Sequence, residues 1–397
     1  MKTITVIGGG IVGQFTAYYL SQAGFQVTVI DDLPAMPPAS AGNCGLVRPS
    51  RVNPINSWHT LFQGLRWMGK KDAPLSIKPQ LDYQFVKWFV AFAWHCRRSS
   101  VAQAAVARQQ LLDKSWALYE DFFSKESVQS TWGKKGLLYT CITQDGVDYL
   151  RHDNEALPFP ERHSRILSAQ EVREIEPLVS EQVVGGGYCE VDGWLNPTDL
   201  LHDIRQINER QGVRFMNAQV DQLISKNRKV VAARCPNNEV SSEHFVLCAG
   251  AKSVPLARQV GEYLPVQPAK GYNLTCSTPL AQQPNLPVYM LEKKVVATPW
   301  SNGFRIGSTM EFSGYDLSLN PDRLNALKQA AESYMDISLD QVRMEPWAGW
   351  RPMASGGAPI IRPSRKMKNL TIATGHGMLG LSMAPATGLM VQEIIAK

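Results

Sequence analysis

Thr3-Ile4-Thr5-Val6-Ile7-Gly8-Gly9-Gly10-Ile11-Val12-Gly13 stands near the start of the chain, and Gln26-Val27-Thr28-Val29-Ile30-Asp31 follows one helix-length later. The first five residues are β-branched and predict a short strand. Gly8, Gly10 and Gly13 then form a G-x-G-x-x-G pattern. The next stretch, with Phe15, Tyr18, Tyr19 and Leu20 on its buried side, predicts a helix that ends at Gly24. A second strand closes on Asp31, with Asp32 beside it. Strand, glycine loop, helix, strand and acid within about thirty residues is one βαβ unit that binds a dinucleotide. Gly8 permits the tight turn, Gly10 lets backbone approach a pyrophosphate, and Gly13 lets helix and strand pack closely. The helix start offers unpaired N–H groups at Ile11 and Val12 to the phosphates. Asp31 can accept hydrogen bonds from an adenosine ribose, and its charge disfavours a 2′-phosphate. A purely structural glycine turn would not require that acid. The unit alone does not decide between FAD and NAD.

Working outward, the 397 residues are 44% apolar and 19% charged, which excludes a disordered chain and allows two to three domains, or two threaded through one another. The net charge of +6 is scattered along the chain, a poor fit to nucleic acid and a better one to anionic ligands. Cysteines at 44, 96, 141, 189, 235, 248 and 276 form no C-x-x-C, and the dispersed histidines form no H-x-x-x-H, so no metal site is expected. Reduced thiols, a cytoplasmic location and no secretory leader are the expectation. The longest apolar run, Trp88 to Trp94, is too short to span a bilayer.

Small residues crowd Ala39-Ser40-Ala41-Gly42-Asn43-Cys44-Gly45-Leu46, as suits backbone lying against a flat ligand. Residues 81–124 read as two helices; in the first, Phe85, Trp88, Phe89 and Phe92 recur at helical spacing. That stripe reads as core, with peripheral contact to the inner face of a membrane, aided by Lys70, Lys71, Arg97 and Arg98, as the alternative. Strands are expected at 136–143 and 184–191, a turn at 192–197, a helix from Pro197 to Gln211, a strand from Val213, and a hairpin from Val230–Arg234 and Val240–Phe245. His244 to Ala251 reads as a buried strand entering a small-residue turn. Strands near 271–276, 294–298 and 304–308 precede a helix over 322–335. Leu370 to Gly380 is again strand, glycine turn and helix start. With glycine motifs at both ends, a nucleotide domain assembled from separated pieces is expected.

Taken together, these motifs resemble the D-amino-acid oxidase superfamily of FAD enzymes, and within it the bacterial D-amino-acid dehydrogenases, over nearly the whole chain. The resemblance rests on Val6–Gly13 with Asp31, Ser40–Gly45, Ala73–Pro79, Asp192–Pro197, Val246–Ala251, Lys270-Gly271-Tyr272, Gly349–Met353 and Gly375–Gly380. It implies an α/β fold, a Rossmann-like FAD-binding domain (1–85, 186–262 and 345–397) interleaved with an α+β substrate domain (86–185 and 263–344) on a mixed sheet. It places FAD along Gly8, Gly10, Ile11, Val12, Gly13, Asp31 and Asp32, then Ser40, Asn43, Cys44, Gly45 and Leu46. Val220, Ala249 and Gly250 complete the nucleotide half, and Gly375, His376, Gly377, Met378, Leu379 and Gly380 the flavin side.

Arg351 matches the arginine that clamps a substrate carboxylate; the competing reading is a structural ion pair. Tyr272 would hydrogen-bond the carboxylate, cover the site, or sit in the core, and His376 would bond the flavin side. Two departures fall near the expected flavin: Ala354-Ser355-Gly356-Gly357, where the family often carries an acid, and Arg362, where a glycine is common. Cys44 is expected to touch the flavin, with a covalent thioether as the alternative. The implied activity is oxidative deamination of D-amino acids, D-proline and D-hydroxyproline included, by hydride transfer from Cα to flavin N5. A glycine- or sarcosine-type amine oxidase and a non-catalytic flavoprotein subunit are the alternatives. The partner is a small amino acid or amine; the electron acceptor is open among quinone, partner subunit and oxygen.

Overall fold

The computed structural model describes residues 2–32, 38–66, 75–78, 82–157, 159–278 and 282–397. Thr3–Ile7 and Gln26–Asp31 pair in parallel, joined by the helix Ile11–Gln22. His244–Leu247 adds on the other side of Thr3–Ile7, followed by Leu370–Thr374, while Arg214–Asn217 pairs with Gln26–Asp31. All these pairings are parallel; Ile360–Pro363 closes the six-stranded sheet in antiparallel register.

Alternation along the strands sends side chains to opposite layers. Ile4, Val6, Val27, Val29 and Val246 pack with Ala17 and Leu20 of the first helix and with Val391 and Ile395 of the C-terminal helix Gly380–Ala396. Ile7, Ile30, Phe245 and Leu247 face the other way, against Leu223, Val230 and Ala233 of a small three-stranded sheet. Both faces are thereby covered, as a parallel sheet requires.

A second, nine-stranded sheet is mixed. Its long strands Val266–Cys276, Gly303–Phe312 and Glu345–Ala354 are antiparallel neighbours, with Val266–Cys276 in the middle. Val295–Trp300 and Val288–Met290 follow, and Val288–Met290 runs parallel to Leu137–Cys141. The helix Pro321–Tyr334 buries Leu327, Ala330, Ala331 and Tyr334 against this sheet.

The expected turn at 192–197 contains a strand, Gly193–Leu195, paired with Leu46–Val47 and Trp132–Gly133. Three residues are too few for periodicity to reveal, and both partners come from distant sequence. The expected hairpin is also divided. Lys229–Arg234 pairs briefly with Glu239–Val240, but its longer partner is Gln222–Lys226, and His244–Leu247 leaves for the six-stranded sheet.

The aromatic stripe is core. Phe85, Trp88 and Phe92 of the helix Tyr83–Trp94 pack on Phe312 and Met353, and Trp88 Nε1 donates to the Met353 carbonyl at 2.8 Å. Lys70, Lys71 and residue 81 lie outside the described residues, as do Ala73, Pro74 and Pro79 of one quoted motif. Among the described residues no helix is long and apolar enough to cross a membrane.

Candidate active site

The C-terminal ends of Thr3–Ile7, Gln26–Asp31 and His244–Leu247 open into a cavity of about 810 Å³ that reaches the nine-stranded sheet. Crevices outside strand carboxyl ends are where open α/β sheets bind ligands. Gly8, Gly10, Ile11, Val12, Asp31, Asp32, Val220, Ala249 and Gly250 line one half. Ser40, Asn43, Cys44, Leu46, Tyr272, Arg351, His376, Gly377, Met378, Leu379 and Gly380 line the remainder. Gly13, Gly45 and Gly375 stand behind these walls and shape the backbone.

The glycine loop is a cradle that side chains would fill. Gly8 has φ of +103°, and a Cβ there would meet the Cys248 carbonyl oxygen at 2.6 Å. A Cβ on Gly13 would lie 1.9 Å from the Gly8 carbonyl oxygen. One on Gly9 would strike the Asp31 side chain, which places that carboxylate directly against the loop. Burial raises the Asp31 pKa, opposed by the Gly9 N–H. Ser40 Oγ accepts from the Ile11 N–H at 2.9 Å, so it stands at the helix start.

The small-residue loop is held by its own side chains and one buried arginine. Asn43 bonds the Ser40 carbonyl through Nδ2, and its Oδ1 accepts from the Gly45 N–H at 2.7 Å. Arg305 donates to the carbonyls of Ala41, at 2.7 Å, and of Asn43, and to Thr275 Oγ1 at 2.8 Å. Burial lowers the Arg305 pKa to about 10. Arg305 thus ties the loop to the nine-stranded sheet, a role sequence reasoning missed because no local pattern marks it. Cys44 Sγ packs beside Gly307, and burial raises its pKa.

Arg351 lies on the cavity face shared by Gly271, Gly349 and Trp347, since Ala269 pairs with Arg351, Gly271 with Gly349 and Asn273 with Trp347. Its guanidinium covers Gly271 so closely that a Cβ there would fall 2.4 Å from Cζ. Nη1 donates to the Thr309 carbonyl at 2.5 Å and Nη2 approaches the Ser308 carbonyl at 3.5 Å. Those carbonyls turn toward Arg351 because the strand is irregular here. Its pairing with Val266–Cys276 shifts register between Lys270 and Tyr272, and Thr309, a β-branched residue, takes φ of +60°. Among the described residues Arg351 has no carboxylate partner. Burial lowers its pKa, with Cys44 and Tyr289 opposing. A Gly271→Ala variant is expected to displace the guanidinium and raise KM for carboxylate substrates about 10- to 100-fold, read by steady-state kinetics, while flavin content stays at the wild-type level.

Two expectations change. The Tyr272 hydroxyl donates to Glu311 Oε2 at 3.0 Å, within a buried group that includes Lys270 and Arg323. Tyr272 is therefore a wall residue whose hydroxyl is committed elsewhere, because strand alternation turns it away from Arg351. Arg362 pairs with Glu262 at 2.9 Å and does not line the cavity. Nor do residues 354–357: Asn56 Nδ2 donates to the Ser355 carbonyl at 2.8 Å, and Gly357 takes φ of +77° beside Asn56.

His376 Nε2 lies 3.0 Å from Thr387 Oγ1, whose own proton goes to the Met383 carbonyl at 2.9 Å. The histidine must therefore donate through Nε2–H. Burial lowers its pKa to about 4, so the ring is neutral. A neutral ring in the fold and an ordinary one in the unfolded chain means the unfolded state binds more protons between pH ~6.5 and ~4. Stability should then fall as pH drops through that window, by on the order of 3 kcal/mol from this group. Denaturant titrations across pH 4–7 should show a shallower slope for His376→Gln; equal slopes would remove His376 from the account.

Sequence comparison matches residues 3–394 to the family described as FAD dependent oxidoreductase (DAO). The chain is 28% identical to a D-amino acid dehydrogenase of Vibrio vulnificus over 403 residues, covering 100% of this chain and 96% of the relative. It is also 28% identical to a D-amino acid dehydrogenase of Granulibacter bethesdensis over 402 residues, covering 99% and 95%. Its fold matches glycine oxidase from Bacillus cereus with a TM-score of 0.75 at 19% identity, over 100% and 97% of the two chains. The L-proline dehydrogenase of P. horikoshii matches with a TM-score of 0.75 at 18% identity, over 99% and 93%. With a parallel sheet covered on both faces, a glycine loop in which a Cβ on Gly8 or Gly13 would strike backbone, an acid against that loop and a family match over almost its full length, the chain belongs to the FAD-dependent oxidoreductase family.

Proposed function

We propose that the protein dehydrogenates D-amino acids, with the substrate carboxylate seated on Arg351. The observation that carries this reading is a half-buried guanidinium facing the cavity whose partners among the described residues are the Ser308 and Thr309 carbonyls. A planar fork in a desolvated wall suits a carboxylate, which it can meet with two parallel bonds. FAD, when bound, supplies the acceptor for the hydride leaving Cα.

Under this reading the residues quoted from Gly8 to Asp32, with Val220, Ala249 and Gly250, hold the adenosine and pyrophosphate. Cys44, Leu46 and residues 376–380 border the flavin. Among the described residues the acids lining the cavity are Asp31, Asp32 and Asp221, the first two beside the glycine cradle, and none of them pairs with Arg351 as a base would. The chain's contribution is orientation: Arg351 fixes the carboxylate, and Trp347 and Gly349 on the same face bound the space over it. The substrate amine then reacts in its neutral form, whose lone pair assists loss of the Cα hydride.

An anaerobic screen of the holoenzyme against D- and L-amino acids and N-methyl amines tests this. Flavin bleaching by D-amino acids and not by their L-enantiomers is the expected result. Bleaching by glycine and sarcosine alone, with stoichiometric peroxide in air, would assign the amine-oxidase reading instead. No bleaching by any amine would leave a non-catalytic flavoprotein.

A further inference from the structure

Arg48 and Arg51 line the same cavity as Arg351, within a group of cations that outnumbers its carboxylates among the described residues. Arg48 Nε pairs with Asp192 Oδ2 at 3.0 Å, and Nη2 bonds the Tyr139 hydroxyl. Asp192 also accepts from the Ser50 N–H and hydroxyl, so its two oxygens already take three hydrogen bonds. The one ion pair of Arg51 among the described residues is with Asp153, at 3.5 Å, in a pair left 32% and 41% exposed. Behind them Arg108, 7% exposed, donates to the Arg51 carbonyl at 2.8 Å, while its buried Nε has no partner among the described residues.

Lys294 adds a further cation, and burial and Arg51 both lower its pKa. The nearby Glu292 is occupied by the Ile142 and Thr143 N–H groups and the Tyr334 hydroxyl. Four cations thus share Asp192, Asp153 and an already saturated Glu292. Burial pulls the Arg108 pKa down to about 9, with Arg51 and Arg48 adding to the shift. Buried like charges are unfavourable unless an anion joins them.

The position of the cluster decides which anion. Arg48 packs over Tyr139 and Tyr289, both on the nine-stranded sheet, and Tyr289 also interacts with Arg351. The cluster therefore sits at the substrate end of the cavity and away from the pyrophosphate cradle at Gly8–Gly13. We infer that Arg48 and Arg51 form a second carboxylate seat, so that the preferred substrates are amino acids or N-substituted amines carrying two carboxylates. This rests on Arg351 holding the first carboxylate, as proposed above. Sequence reading passed over the pair because arginines two and five residues beyond Leu46 match no motif.

The test is equilibrium binding to the holoenzyme, read by perturbation of the flavin absorption spectrum, with succinate, glutarate and adipate each set against its monoamide. A charge-assisted seat should make at least one diacid about 10-fold tighter than its monoamide. That ratio should fall toward 1 in Arg51→Gln, the variant chosen because Arg51 is the less deeply engaged of the two. Arg48→Lys, which keeps a cation for Asp192, should lower the ratio as well. Equal binding of diacid and monoamide in the wild type, no binding of either, or a ratio unchanged in both variants would overturn the inference.

Turnover separates this claim from the one beneath it. Selective diacid binding with no amine oxidised would leave the second seat standing and remove the dehydrogenase reading. Oxidation of neutral D-amino acids with no diacid selectivity would do the reverse.

Discussion

Arg351→Ala is expected to raise KM for carboxylate substrates at least about 100-fold, because truncating one partner of a buried charge pair costs several kcal/mol. The wild-type guanidinium is positioned by the Ser308 and Thr309 carbonyls and by the close surface of Gly271, so its geometry is set before substrate arrives. The alanine variant loses both the charge and the orientation of Cα, and kcat should fall along with the rise in KM. Arg351→Lys restores a charge without the planar fork and should recover only part of the loss. Flavin absorbance should be unaffected in both, which separates a substrate defect from loss of cofactor. An unchanged KM in the alanine variant would sink the assignment of the carboxylate seat.

The second large effect is expected at the opposite end of the cavity. In Gly13→Ala, the added methyl would lie 1.9 Å from the Gly8 carbonyl oxygen and 3.0 Å from its carbon, both backbone atoms. No side-chain rotation can relieve this, so the helix Ile11–Gln22 must move off the glycine loop, which under the proposed reading holds the pyrophosphate. Overpacking of about 1–3 kcal/mol corresponds to ~5- to 150-fold weaker FAD binding. The ratio of flavin to protein absorbance after purification, and fluorescence titration of the apoprotein with FAD, would measure it. Full flavin content at wild-type affinity would contradict the packing account.

The two effects concern residues that the sequence exposes to different degrees. The unit from Thr3 to Asp31 is legible because its logic is local: β-branched residues, glycines at fixed spacing and an acid at a strand end all act within one βαβ turn. The final strand, glycine turn and helix from Leu370 are legible on the same ground. Arg351 was reachable only by resemblance, since one arginine in a strand carries no signal of its own. Tyr272 looked equivalent to it, one residue from Gly271. Strand alternation and a register shift separate the two, sending the hydroxyl to Glu311. Arg362 was misplaced because its partner, Glu262, is a hundred residues away.

By itself, then, the sequence determined the dinucleotide unit, the mixed α/β character and the small-residue loop, because short-range backbone preference and hydrophobic alternation act between neighbours. The tertiary structure alone decided that Arg305 ties the loop down, that Thr309 bends to present its carbonyl, and that Arg48, Arg51 and Arg108 converge. Those outcomes depend on which distant strands pair and in what register. Burial then strengthens every charge left without a counter-charge, and no spacing along the chain encodes that.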